Sequence, residues 1–311
     1  MEGISNHIVP YREIPDKKEL LPLMSMAFGW PYNPQKFEEI AEIDPRLKNS
    51  PIGFCMLENN EAVGFVGVMD LQTKTIEGQI ETVGGIWGVT TSPSHTRRGI
   101  ATELMKSAHN YFDNKGYRFS FLLTARTIIA YAFYRKLGYK DAADFPSAHK
   151  IMEEKKKPSG KGKEESKEVD WEKIVEIYNR FAADKAGFTV RDKTYFEVLR
   201  KREKIKPERI FLGENGYAIF KENEEAVFVN EIIALTTEEA RNLISFLERK
   251  GKPIVCDRTV LDEKILGVYE SLGYMIRKKS HDLLMVKELT EKKTFSQVYG
   301  GKFYMTSLDF F

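Results

Sequence analysis

The chain has 311 residues, of which 48 are basic and 46 acidic, for a formal net charge of +2. That balance argues against a nucleic-acid partner, and no run reaches the ~20 apolar residues of a membrane span. The length accommodates two domains with ordinary cores, and the N-terminus carries no charged-then-apolar leader, so a cytoplasmic setting is expected.

In chain order, residues 7–14 read as a strand closed by Pro15, and 17–28 as a helix with Leu20, Leu23, Met24 and Ala27 at helical spacing. Residues 28–34 are too rich in aromatics and prolines for a regular element. Phe28, Trp30 and Tyr32 there either line a pocket for the substrate or plug an edge of the core. Residues 52–57 and 62–71 flank a polar turn and read as a hairpin. Residues 79–91 form another strand, interrupted by Gly84, Gly85 and Gly88, which signals a bulge or a close backbone approach. Cys55 and Cys256 lie far apart in apolar runs without metal-ligand spacing, so both read as buried thiols and no metal is expected.

Residues 86–102 organise the first half. A strand rich in β-branched residues breaks at Ser92–Ser94 and passes into Thr96-Arg97-Arg98-Gly99. From Ile100 the spacing is helical, with Leu104, Met105, Ala108, Tyr111 and Phe112 on one face. The first N–H groups of a helix lack internal partners and its dipole makes that end positive, so the arrangement suits an anion. A basic surface turn would carry the same residues. Residues 117–125 then read as a buried parallel strand, and 128–137 as a helix stopped by Gly138.

Thr96, Arg97, Arg98, Gly99, Ile100 and Ala101 resemble motif A of the GNAT acetyltransferases, Arg/Gln-x-x-Gly-x-Gly/Ala, with Thr96 in place of the first basic residue. The stretch from Ala130 to Tyr139, with Tyr134 before Leu137-Gly138-Tyr139, resembles motif B of the same family. Val89, Pro93, His95, Arg97, Arg98 and Gly99 are most similar to the enhanced-intracellular-survival branch. The resemblance implies an α/β fold with a mixed sheet, and acetyl-CoA as co-substrate. It places the pyrophosphate on the backbone of residues 97–102 (Thr102 included) and the pantetheine arm on Val89, Thr90 and Thr91. Thr127, where the family often has asparagine, would either touch the pantetheine or cap the helix.

Residues 155–168 are polar and mixed in charge, and read as a flexible linker between a catalytic domain at 1–154 and a second unit at 169–289. In the second unit Trp171, Ile174, Tyr178 and Phe181 mark a helix, residues 209–220 and 225–235 strands, and 236–250 a helix. A strand at 253–257 and a helix ending Tyr269-Glu270-Ser271-Leu272-Gly273-Tyr274 follow, repeating the first unit's Tyr-x-x-Leu-Gly-Tyr. Two tandem GNAT-like domains are therefore expected. The second is degenerate, since Glu238 and Glu239 stand where a pyrophosphate would need an uncapped, uncharged helix end.

The tail, 290–311, has six aromatics in its last 17 residues, a composition that favours docking over solvation. Residues 86–92 of the first unit hold no Asp, Glu or His to serve as a base. By the resemblance, the terminal carboxylate of Phe311 is that base and Tyr134 the acid. The implied reaction is acetyl transfer to a primary amine of a small molecule, aminoglycoside- or polyamine-like, and the assembly a homo-oligomer or a monomer. The sequence leaves two rivals open: a non-catalytic acyl-CoA-binding sensor and a protein-lysine acetyltransferase.

Overall fold

The computed structural model of the chain describes residues 6–153, 169–279 and 281–310. The linker expected at 155–168, and Phe311, lie outside them. The chain opens with β1 (Asn6–Pro10) and α1 (Leu20–Phe28), whose Pro22 falls in the first turn, where no N–H is missed. Gly29 ends α1 in the left-handed conformation at φ 60°. Two helices follow that the hydrophobic pattern does not announce, α2 (Pro34–Ala41) and α3 (Pro45–Lys48). Each starts on a proline behind a capping side chain, Asn33 accepting from the Lys36 N–H and Asp44 from the Arg46 N–H.

β2 (Gly53–Glu58) and β3 (Glu61–Lys74) form the expected hairpin, turned through Asn59 and Asn60 at φ 52° and 69°. β4 (Ile80–Thr91), α4 (Ile100–Asn114), β5 (Phe119–Ala125), α5 (Ile129–Lys136), β6 (Lys140–Asp144) and β7 (Ser147–Ile151) complete the first half. The second half runs α6 (Trp171–Phe181), β8 (Ala186–Gly187), α7 (Lys193–Glu203), β9 (Ile210–Leu212), β10 (Gly216–Glu222) and β11 (Ala226–Ala234). It continues with α8 (Thr237–Glu248), β12 (Ile254–Asp257), α9 (Glu263–Ser271), β13 (Met275–Arg277) and β14 (Asp282–Glu288). The tail adds α10 (Phe295–Tyr299) and β15 (Phe303–Tyr304). The strand expected at 209–220 is thus two strands, because the chain turns between Leu212 and Gly216.

Two mixed sheets result, and they do not divide where the linker does. The first sheet runs β1-β2-β3-β4-β5-β14-β6, so a strand from the second half lies between two from the first. The second runs β13-β7-β12-β11-β10-β9, with β7 of the first half between β12 and β13. Each half lends the other one interior strand. No pattern in the sequence says which sheet receives β14.

One face of the first sheet packs against α4 and α5, with Val66, Ile86, Leu104, Phe112, Leu122 and Tyr134 in one core. On its other face Leu23, Phe37, Phe65, Leu71, Phe121 and Tyr299 form a core closed by α1, α2 and the tail. A third core fills the second unit around Ile177, Tyr217, Val227, Leu243 and Tyr269. Both cysteines are buried, as expected. Among the described residues no helix is long and apolar enough to cross a membrane.

Candidate active site

β4 and β5 are parallel neighbours over three residue pairs, Gly84–Ser120, Gly85–Phe121 and Ile86–Leu122. Beyond Ile86 they continue without pairing, and a slot opens between them. A bulge accompanies the split: Phe65 of β3 faces Thr90 while Gly67 faces Trp87, so Gly88 and Val89 oppose the single residue Val66. Gly88 sits at φ 60°, a conformation that costs glycine nothing. The structure places Val89, Thr90 and Thr91 on β4 past the split, where the sequence expects the pantetheine arm.

At the end of β4 a short turn, Pro93–His95, leads into the basic loop, where Arg97 and Gly99 have φ of 63° and 82°. Gly99 is the N-cap of α4 and offers no side-chain acceptor, so the first backbone N–H groups of a 15-residue helix stay available to a ligand. α8, the corresponding helix of the second unit, differs at this point. Thr236 accepts from the Glu239 N–H, and Glu238 and Glu239 occupy its first turn.

The two loop arginines have different surroundings. Arg98 donates to Glu58 at 2.5 Å, and the same carboxylate is 2.6 Å from His95 Nε2. The Arg98 and then the His95 contacts hold Glu58 below the usual carboxylate range. Both arginines are exposed, but the Arg98 charge is paired with Glu58, whereas Arg97 makes no ion pair among the described residues. The Thr96 hydroxyl donates to the Pro93 carbonyl. His95 is held between Glu58 and Ser94, a partner 37 residues away that loop spacing does not show.

Tyr134 lies on α5, 6% exposed, with its ring against Phe133 and Tyr139. Burial pushes its hydroxyl up to about 12, so it is a proton donor at neutral pH. The hydroxyl has no protein hydrogen-bond partner among the described residues. Thr127 is exposed in the turn before α5 and does not cap it, since the N-cap is Ile128.

The three aromatics expected to bind substrate do not form one wall. Trp30 stacks edge-on near Trp87 of β4 (centroids 6.3 Å apart) and Phe37 (5.7 Å). Tyr32 is in the core at 4% exposure, its hydroxyl 2.9 Å from that of Tyr11. Phe28, at the end of α1, is half-exposed. Trp30 and Tyr32 touch edge-on (centroids 5.3 Å apart) and share Phe37, while Phe28 lies on the other side of Gly29 in the chain. Trp87, beside the bulge, joins Trp30 on this face and was not singled out by the sequence pattern.

The tail returns to the first unit. Tyr299 of α10 is hydrogen-bonded to Thr73 (2.8 Å) and Glu81 (3.1 Å), which removes Glu81 as a free base. β15 pairs with β8, which in turn pairs with the end of β3. Thr306 and Asp309 cap each other's turn, and fully buried Arg191 binds Asp309 (2.8 Å) and Glu231 (2.6 Å). Tyr195 and Tyr217 satisfy the remaining carboxylate oxygens. This places the Phe310 ring on Phe145, which follows β6, with centroids 5.3 Å apart. Residue 145 lies beyond Asp144, the β6 residue level with Leu283 of β14, at the same end of the sheet as the slot.

Residues 12–142 match the model of an acetyltransferase (GNAT) domain. No curated protein matches the sequence significantly. Among solved structures, a GCN5-related N-acetyltransferase from Kribbella flavida shares 16% identity at a TM-score of 0.64, covering 91% of this chain and 71% of that one. Eis1 from Mycobacterium abscessus, of the enhanced-intracellular-survival type, shares 16% at 0.59, covering 92% and 74%. A putative acetyltransferase from Pyrococcus horikoshii shares 14% at 0.53, covering 96% and 94%. The slot, the bulge and the uncapped helix end are thus parts of one familiar frame, and this domain belongs to the GNAT acetyltransferases.

Proposed function

We propose that the chain is an acetyl-CoA-dependent N-acetyltransferase acting on a primary amine of a small molecule. The observation that carries this reading is the uncapped N-terminus of α4 beside the open slot between β4 and β5. The backbone N–H groups of residues 97–102 bind the pyrophosphate and Arg97 adds charge. The pantetheine arm pairs along Val89, Thr90 and Thr91. This brings the thioester towards Tyr134, whose buried hydroxyl protonates the departing thiolate.

The acceptor amine approaches from the face of Trp30 and Trp87, an aromatic surface that suits a small organic amine. Its proton needs a base, and β4 supplies none past the split. Phe310 against Phe145 lies at the end of the sheet where the slot opens, which supports the terminal carboxylate of Phe311 in that role. Such a group is intrinsically weak, with an ordinary pKa of about 3.5, and would need burial to rise. The second unit holds the tail and has no cofactor role of its own.

A sensor that binds acyl-CoA without turnover is the second reading, favoured by Thr96 and by the pairing of Arg98 with Glu58. Calorimetric titration with CoA, together with thiol release on an amine panel, separates the two. The enzyme binds one CoA per chain, loses it in Gly99→Glu and releases thiol repeatedly with at least one amine. A sensor binds in the same way without releasing thiol. Absence of binding defeats both.

A further inference from the structure

We propose that the cavity between the two units is a binding site for a small organic carboxylate, held by Arg46 and Arg202 and separate from the acyl-CoA slot. The cavity is about 500 Å³, the size of small-molecule sites in general. Its walls come from α3, the free edge of β3 at residues 70–72, the 190–195 segment, α7 and Asp309. It is open to β3 because the edge of that strand away from β4 has no partner among the described residues between Val68, which donates to Ile52, and Lys74, which is paired with Gly187. The slot lies elsewhere, beyond Ile86 between β4 and β5.

Two guanidinium groups converge there with side chains only 15% and 21% exposed. Arg46 donates Nε and Nη2 to Asp44. Arg202 donates Nε to Glu203 and Nη2 to the Leu308 carbonyl. The Nη1 group of each has no protein partner among the described residues. Burial lowers the proton affinity of Arg202, and the nearby charge of Arg46 lowers it further, while against the cost of burial Asp44 holds that of Arg46 above its ordinary value. An anion between them would supply both missing acceptors and relieve that repulsion.

The remaining polar groups decide which anion. Asp44 and Asp192 already cap α3 and α7, so neither helix end offers its N–H groups to a phosphate. Asp309 is committed to Arg191 and Tyr195, and with Asp44 it adds negative charge that a dianion would meet. Leu71, Phe188, Val198 and Leu199 supply the apolar part of the wall, and Asp70, whose carboxylate accepts from the Tyr111 hydroxyl, adds a further negative charge. A planar monoanion with an apolar body fits: a carboxylate whose two oxygens accept from the free Nη1 groups of Arg46 and Arg202.

The test uses the full chain and isothermal titration with benzoate, benzyl alcohol and inorganic phosphate, each with and without saturating CoA. Benzoate should bind once per chain, unaffected by CoA, and at least roughly tenfold more weakly in both Arg202→Gln and Arg46→Lys, since a lysine keeps the charge and loses the free Nη1 donor. Circular dichroism checks the fold of each variant, and if Arg202→Gln does not fold, Arg46→Lys carries the comparison. The proposal is overturned if benzoate does not bind, or if both folded variants bind it unchanged. It is equally overturned if CoA displaces benzoate, or if benzyl alcohol or phosphate binds as tightly.

Discussion

Replacing Tyr134 with phenylalanine removes one oxygen and leaves its packing on Phe133 and Tyr139 intact. If the hydroxyl is the acid, Tyr134→Phe lowers kcat by about a hundredfold with acetyl-CoA affinity nearly unchanged, read by thiol release and titration. Unchanged turnover would remove it from the mechanism. A second residue gives a pH prediction. His109 is buried, with Lys287 against Nδ1 and the Tyr139 hydroxyl 3.0 Å from Nε2. Nδ1 therefore accepts and the neutral ring carries its proton on Nε2, while Tyr139 passes its own to Ser120. Burial, then the Lys287 charge, lowers its pKa from 6.5 to about 4. The unfolded chain takes up a proton below pH 6.5 and the folded one resists until about 4. This contribution is thus complete above pH 6.5 and lost as pH falls to 4. It amounts to about 3 kcal/mol. Denaturant unfolding of His109→Gln should show a loss between pH 7 and 4.5 smaller by roughly 2 kcal/mol. At this scale the sequence shows Tyr134 and Gly99 by motif position, but not Glu58. A residue that neutralises Arg98 from 40 positions away leaves no local trace.

The bulge of β4 depends on its neighbour. A Cβ on Gly67 would lie 2.1 Å from the Trp87 ring, so Gly67→Ala must displace that indole. We expect a stability loss of roughly 1–3 kcal/mol from this overpacking, with a change in Trp87 fluorescence as the specific signature. The tail anchor is a comparable element. Asp309→Ala leaves Arg191 buried with Glu231 alone, which should cost about 3 kcal/mol and loosen Phe310 from Phe145. Strands with unbroken apolar runs and helices with a clear stripe are legible in the sequence because periodicity records which side is buried. α3 is only four residues long and its caps carry the information. α7 has a weak stripe and a lysine- and arginine-rich end, so its burial against the first unit does not show. The aromatic tail reads as docked, while its path through Arg191 requires the folded partner.

Across the whole molecule the reciprocal loan of β7 and β14 makes one body of two repeats. Cleaving the chain at a protease site introduced within 155–168 should leave both fragments together on a sizing column without denaturant. Their separation under native conditions would contradict the sheet order. The sequence discloses the duplication through its repeated Tyr-x-x-Leu-Gly-Tyr, but both sheets offer an equivalent gap, so strand order in the chain cannot say which one is filled by which copy. The exchange also has a meaning during synthesis. β5 leaves the ribosome with its outer edge bare, and the strand that covers it begins roughly 150 residues later. At ordinary translation speeds of about 5–20 residues per second, that edge waits roughly 10–30 s. For that interval the nascent first half is an open template for any other extended chain, so its safe maturation depends on how fast, and in what company, the second half is made.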